Sequence, residues 1–245
     1  LKILRILFSI GIFISIWAFF SNELISSPKQ SFEAILELGK LGTLQDGLKD
    51  SLVRYILGLS IGVIFGVIFG VILGFMPRLN AFINPVLDLL RPISPIAWVP
   101  VVVIIFGIGD KPTIFIIAYA VFFPVVLLSI NALKQVPREL VLISKNFGAN
   151  AWQLFYGVYF PSCIFTLVSA LKLGASLAWI NLVVGEMVGA QTGLGYLIID
   201  ARNQLEIPTV LGLIFIIGII GMTINALFNT IELYFTKRFG YDKNQ

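Results

Sequence analysis

The chain alternates between long apolar runs and short polar stretches, at intervals that match membrane helices. A helix crossing a ~30 Å hydrocarbon core needs about 20 mostly apolar residues. Cutting the chain at its charges predicts six spans: Ile6–Phe20, Tyr55–Met76, Pro92–Gly109, Pro112–Leu133, Pro161–Gly185 and Ile207–Ile231. Backbone groups in lipid must be satisfied internally, so each is expected to be helical. The third holds Pro95 and Pro100 and is expected to be broken or tilted. The first follows Lys2 and Arg5 but leaves through Phe20-Ser21-Asn22-Glu23, which lacks a small-x-small cleavage site, so it reads as an uncleaved anchor. The whole of 1–245 is expected to form one all-α polytopic membrane domain.

Glycine and proline spacing shapes this picture further. Gly58, Gly62, Gly66, Gly70 and Gly74 recur every fourth residue through the second span. Small residues at that interval make a groove that lets a neighbouring backbone approach closely. They are candidates for helix packing, with lining of a pathway as the alternative. Arg91-Pro92-Ile93-Ser94-Pro95-Ile96-Ala97-Trp98-Val99-Pro100 concentrates three prolines at the mouth of the third span. Proline removes a backbone donor and clashes one turn back. Pro95 and Pro100 are therefore candidates for a pathway lined by broken helix, against a merely kinked packing helix.

Composition then narrows the chemistry. The 245 residues are 58% hydrophobic and 12% charged, with no histidine and one cysteine, Cys163; the mean hydropathy is +0.97. A soluble domain carries about a quarter charged residues. An ordinary soluble enzyme, a nucleic-acid-binding module and a disordered chain are excluded, as are histidine or thiolate metal sites and a disulfide framework. The net charge of +4 acts as a topology signal. With six spans and the N-terminus inside, ten basic residues fall inside: Lys2, Arg5, Arg78, Arg91, Lys134, Arg138, Lys145, Lys237, Arg238 and Lys243. Six fall outside: Lys29, Lys40, Lys49, Arg54, Lys111 and Arg202. The positive-inside rule then places both termini in the cytoplasm. Lys172 remains within the fifth span, and an intramembrane lysine faces a cavity or a partner. It is a candidate pathway cation, or a lysine held by a neighbouring helix. Glu186, 14 residues on, stands about 21 Å away along a helix, too far to pair with it, and is a second pathway candidate. Asn225 and Asn229 share a face of the sixth span and suit interhelical hydrogen bonds.

The segment from Lys134 to Phe160 has the form of a docking loop. A helix after Pro137 is expected to end near Gly148, where glycine suits a left-handed cap. A second short amphipathic helix then carries Trp152, Phe155 and Tyr159 towards Pro161, which opens the next span. This arrangement resembles the permeases of ABC-type importers, whose cytoplasmic loop reads Glu-Ala-Ala, three residues, Gly, nine residues, Ile-x-Leu-Pro. Aligned on Gly148, the later part falls on Val158, Phe160 and Pro161. Leu142, Ile143 and Ser144 replace the Glu-Ala-Ala triplet, with Glu139 one turn earlier.

Further stretches resemble the nitrate/sulfonate/taurine-type branch of that family: Ser51-Leu52-Val53-Arg54 with Gly58, the proline-rich run ending in Phe106-Gly107-Ile108-Gly109-Asp110-Lys111, Gly185-Glu186-Met187, and Gly193-Leu194-Gly195-Tyr196. The resemblance spans about residues 44–235. It implies a type I importer permease in a plasma (inner) membrane, paired with a second permease subunit, expected to be an identical copy. Leu142, Ile143, Ser144, Gly148, Trp152, Val158 and Pro161 would dock on cytoplasmic ATPase subunits that hold the ATP and magnesium. A solute-binding protein outside the membrane would deliver the solute. The chain itself has no Gly-x-x-x-x-Gly-Lys-Ser/Thr phosphate loop and no cofactor or metal is expected in it. A stand-alone secondary transporter or channel is the competing reading, motivated by Lys172 and the broken helix. A polytopic enzyme or scaffold is the third, and has no catalytic motif to rest on.

Overall fold

The computed structural model describes Phe8, Gly11, Ile12, residues 15–21 and residues 26–238. Of the first expected span, Ile6–Phe20, residues 6, 7, 9, 10, 13 and 14 lie outside the described residues; the others are helical. Ser27 opens the next helix with a capping box, its side chain accepting from the Gln30 N–H while Pro28 takes the first helical turn. This is α1, Pro28–Lys40, an amphipathic helix. After a left-handed Gly42, α2 runs over Thr43–Phe75, about 50 Å at 1.5 Å per residue. That exceeds the bilayer core, and the excess is the polar stretch holding Asp46, Lys49, Asp50 and Arg54.

The second predicted span is thus the uncharged part of a longer helix. Pro77 stops it and starts α3, Pro77–Leu90. A 3-10 turn, Pro95–Trp98, leads into the short α4, Val99–Phe106. The α3 axis and the Pro95–Phe106 segment meet at 85°. The expected break is present, but the bounds Pro92–Gly109 are corrected: the bent pair runs from Pro77 to Phe106. Pro92 and Pro95 prevent α3 from continuing, and Arg78, Asp88 and Arg91 hid α3 from a reading based on uncharged runs.

The remaining helices are α5, Asp110–Lys134; α6, Arg138–Asn146; α7, Ala151–Leu154; α8, Phe160–Gly189; α9, Leu194–Asn203; and α10, Ile207–Arg238. Among the described residues, four helices are long and apolar enough to cross a membrane, or five if the bent α3–α4 pair is one span. Six spans are therefore not what the described residues display; the remaining expected span, Ile6–Phe20, is only partly described.

The core is a zipper between α2 and α5. A Cβ added to Gly58, Gly62, Gly66, Gly70 or Gly74 would lie 2.5–2.9 Å from Ile117, Val121, Val125, Ser129 or Leu133 respectively. Every pair is offset by 59 residues (117 − 58, 133 − 74), so the two helices run parallel and touch rung by rung. Two parallel neighbours require the chain to return between them, and α3 with α4 makes that return. The helix α8 covers the other side of α5, with Gly174 against Val121 and Gly185 against Thr113. The hydroxyl of Tyr55 donates to the Ala175 carbonyl at 3.2 Å, and the Trp179 indole donates to Ile217 O on α10 at 3.2 Å.

Candidate functional site

The expected docking loop forms one end of the bundle, here termed the loop end. α6 closes at Asn146, and Gly148 adopts φ +81° as its cap. Asn150 then restarts the chain, its side chain accepting from the Gln153 N–H while Gln153 reaches back to the Asn150 N–H at 2.9 Å. Pro161 stands in the first turn of the next span, as expected. α7 passes through a π-helical turn, Phe155–Tyr159, directly into α8. The wide turn absorbs a proline that cannot donate one turn back, so helix and span run on as one continuous helix.

The outer surface of this loop carries a group of exposed apolar residues among polar ones. Leu140, Leu142 and Ile143 are exposed on α6, Phe147 is 89% exposed beside Gly148, and Trp152 is 71% exposed on α7 with Tyr156 stacked on it at 5.8 Å. Ser144 stands on α6, its carbonyl accepting from the Ala149 N–H at 3.0 Å. Val158 lies in the π turn and Pro161 in the first turn of α8. The loop touches the bundle through Phe75 and Tyr159, whose rings meet edge-on at 4.9 Å. Gly148 has open space around a hypothetical Cβ, so its requirement is conformational.

At the opposite end, Arg54 and Glu186 form a network that reading the spans one at a time missed. Arg54 is 4% exposed and Glu186 fully buried. Arg54 Nη1 donates to Glu186 Oε1 and to the Thr192 carbonyl, each at 2.7 Å. Its Nη2 donates to Thr192 Oγ1, and its Nε and Nη2 both reach Asp110 Oδ1 at 2.7 Å. Four guanidinium N–H groups therefore have hydrogen-bond acceptors, and Nη2 also stands in ion-pair contact with Asp110. Glu186 also accepts from Ser51 Oγ at 2.8 Å and from the Gly195 N–H at 2.9 Å. Ser51 Oγ in turn accepts from the Leu194 N–H at 2.9 Å. The network ties α2, α5, α8 and the turn into α9 together. A Cβ at Gly193 would lie 2.6 Å from Arg54 Nη1. Glu186 consequently presents no surface to a cavity in this structure. The signal was available: Arg54 and Glu186 sit at the ends of two uncharged runs that place them at the same level.

Lys172 is also paired. Its Nζ donates to Glu232 Oε2 at 2.8 Å and to Asn229 Oδ1 at 2.9 Å on α10, and Ser169 donates to Glu232 Oε1 at 2.7 Å. Ending the sixth span at Ile231 hid this partner, one residue beyond. Pro95 and Pro100 occupy first turns, of the 3-10 turn and of α4, where an amide donor is not needed. One carbonyl at the break, that of Leu90, accepts from the Tyr119 hydroxyl at 2.8 Å, and Trp98 packs on Tyr119 at 5.8 Å. Among the described residues, no group of three or more acidic, cysteine or histidine side chains is placed to hold a metal.

The geometry has close relatives. A putative ABC transporter permease protein of Methanocaldococcus jannaschii is 32% identical over 192 residues, covering 78% of this chain and 72% of that one. The taurine transport system permease protein of Escherichia coli is 29% identical, covering 83% and 78%. The fold matches the inward-facing MetNI methionine ABC transporter with a TM-score of 0.68 at 21% identity, over 81% of this chain and 98% of that one. The family model of the binding-protein-dependent transport system inner membrane component matches residues 62–241. The chain therefore belongs to the binding-protein-dependent transport family, as a membrane-spanning permease subunit of an ATP-driven ABC importer.

Proposed function

We propose that the chain lies with its loop end and both termini in the cytoplasm, and that two copies enclose one pathway for a small organic or inorganic solute. Residues 138–160 dock into a separate ATPase subunit, which holds the ATP and magnesium and performs the hydrolysis. A solute-binding protein engages the opposite end, where α9 and the Arg54 network lie. Closure of the ATPases moves α6 and α7, and the unbroken continuation of α7 into α8 carries that movement into the bundle. Relatives named for taurine and for aliphatic sulfonates favour a small sulfonate-like anion as cargo.

The observation that carries this reading is the exposed apolar surface of the loop: Phe147, Trp152, Leu142 and Ile143. Outward aromatic and branched groups around a fixed helix–Gly–helix turn have the composition of an interface core. Leu142, Ile143 and Ser144 in place of the acidic triplet make this contact more apolar than the family pattern. Solute uptake by cells expressing the chain tests the proposal. Uptake that stops when the genomic ATPase partner is deleted supports it; uptake that persists after every such ATPase is removed refutes it.

A further inference from the structure

The helix α3 poses a problem of depth. It begins at Pro77, immediately after α2 reaches the loop end. Its far end is fixed by the bond from Tyr119 to the Leu90 carbonyl. Gly74 marks the loop end of α2 and meets Leu133. From Leu133 to Tyr119 is 14 residues, about 21 Å along α5. From Pro77 to Leu90 is 13 residues, about 20 Å along α3. The lengths agree, so α3 runs antiparallel to α5 and climbs well into the apolar layer. Leu79, Ile83 and Leu87 pack on Leu73, Val126 and Ile130 over this distance.

At that depth α3 carries polar groups on one face. Asn80, Asn84, Asp88 and Arg91 lie within about 80° of each other around the helix axis. Asn84 donates to Asp88 Oδ2 at 2.7 Å. Arg91 lies 3.6 Å from Asp88, and the two side chains remain 48% and 52% exposed. The buried Asn80 Oδ1 has no hydrogen-bond partner. A separate face presents Phe82, Val86 and Leu89, all exposed and apolar. Charged and amide groups facing hydrocarbon are costly and face water or a partner. The helix thus has one face for protein, one for lipid and a third that suits neither.

We propose that this third face, Asn84, Asp88 and Arg91, lines the water-filled part of the solute pathway, where it hydrogen-bonds a polar solute in transit. This rests on the permease reading and on the loop end being cytoplasmic. The wet stripe reaches from the loop end to the break at Arg91, where the proline-rich turn begins. Arg91 is only loosely tied to the fold, its contact with Asp88 being 3.6 Å long and half exposed. It therefore meets the solute at the point where the helix ends.

The test uses the full transporter complex in membrane vesicles, with Cys163, buried and the sole cysteine, replaced by alanine. Asn84→Cys and Phe82→Cys are exposed in turn to the charged thiol reagent 2-sulfonatoethyl methanethiosulfonate, from each side separately. A wet stripe makes Asn84→Cys react at least about tenfold faster than Phe82→Cys, because lipid excludes the charged reagent. Adding Arg91→Gln slows this anionic reagent relative to its trimethylammonium counterpart. Equal rates at the two positions, no reaction at Asn84→Cys from either side, or a disulfide between two Asn84→Cys copies would each overturn the proposal. The last would make the stripe an interface between copies. Labelling solely from the face opposite the loop would support the wet stripe and refute the orientation.

Discussion

Replacing Glu186 with alanine tests whether the Arg54–Glu186 network holds the bundle together. Glu186 is fully buried and accepts from Arg54, Ser51 and Gly195. Its loss leaves a 4%-exposed guanidinium without one of its two carboxylates and strands a serine hydroxyl and a backbone amide. Breaking one side of a buried ion pair costs about 3–5 kcal/mol, against a total stability on the order of 5–15 kcal/mol. At roughly 2–4 °C per kcal/mol for a chain of this length, the unfolding midpoint should fall by about 6–20 °C.

The measurement is tryptophan fluorescence of the purified complex during heating. Asp110→Asn is the internal contrast, because Asp110 bonds the same arginine but is 65% exposed. With its carboxylate in water, this half-exposed pair is expected to contribute about 1 kcal/mol or less, so the midpoint should move by less than about 4 °C. The double variant Arg54→Gln/Glu186→Gln should lose less than the sum of the single replacements, since each alone strands the other. Equal shifts for Glu186→Ala and Asp110→Asn, or additive losses in the double variant, would refute the assignment of the network's strength to burial.

Two further outcomes follow from packing and charge. Gly70→Ala places a methyl 2.5 Å from Ser129 Cβ and 2.7 Å from the Val126 carbonyl, so α2 and α5 must part and stability should fall by about 1–3 kcal/mol. Gly218→Ala, with nothing within 4 Å, should change stability by no more than about 0.5 kcal/mol; equal effects in thermal unfolding would remove the zipper from the explanation. Reversing one charge of the Lys172–Glu232 pair should lower folded yield, and the swap Lys172→Glu/Glu232→Lys should restore yield and uptake if the pair fastens α8 to α10. Restored yield without uptake would instead give Lys172 a role in the pathway.

The parts of the molecule that follow a one-dimensional rule were legible in the sequence. Glycines at every fourth position announce a groove whatever fills it, and the offset of 59 residues to the α5 partners needed only the structure to supply the second helix. The end of α6 near Gly148 was readable because a left-handed cap has few alternatives to glycine. The broken span was misplaced because α3 is amphipathic: its apolar content is spread round one face, and cutting the chain at Arg78, Asp88 and Arg91 assigned it to a loop. The Arg54–Glu186 pairing and the identity of the Glu232 partner of Lys172 were not legible for another reason, although a lysine held by a neighbouring helix was among the readings of Lys172. Arg54 pairs with Glu186 132 residues away and Lys172 with Glu232 60 residues away, and no periodicity connects residues on helices whose neighbours are unknown. Pro161 opens the next span as its position in the sequence suggested, but the π-helical turn that joins α7 to it has no visible sequence signature.

The most direct test of the coupling claim is the ATPase activity that co-purifies with this chain in detergent. The wild-type complex is compared with Phe147→Glu/Trp152→Glu, whose changes lie on exposed loop residues and leave the bundle intact, as checked by its elution volume and unfolding midpoint. Docking through the apolar surface of α6 and α7 requires that the wild type bring ATP hydrolysis with it and that the double variant, recovered in equal amount, bring little or none. Undiminished hydrolysis by the double variant would contradict the assignment of residues 138–160 as the contact through which the transporter is driven.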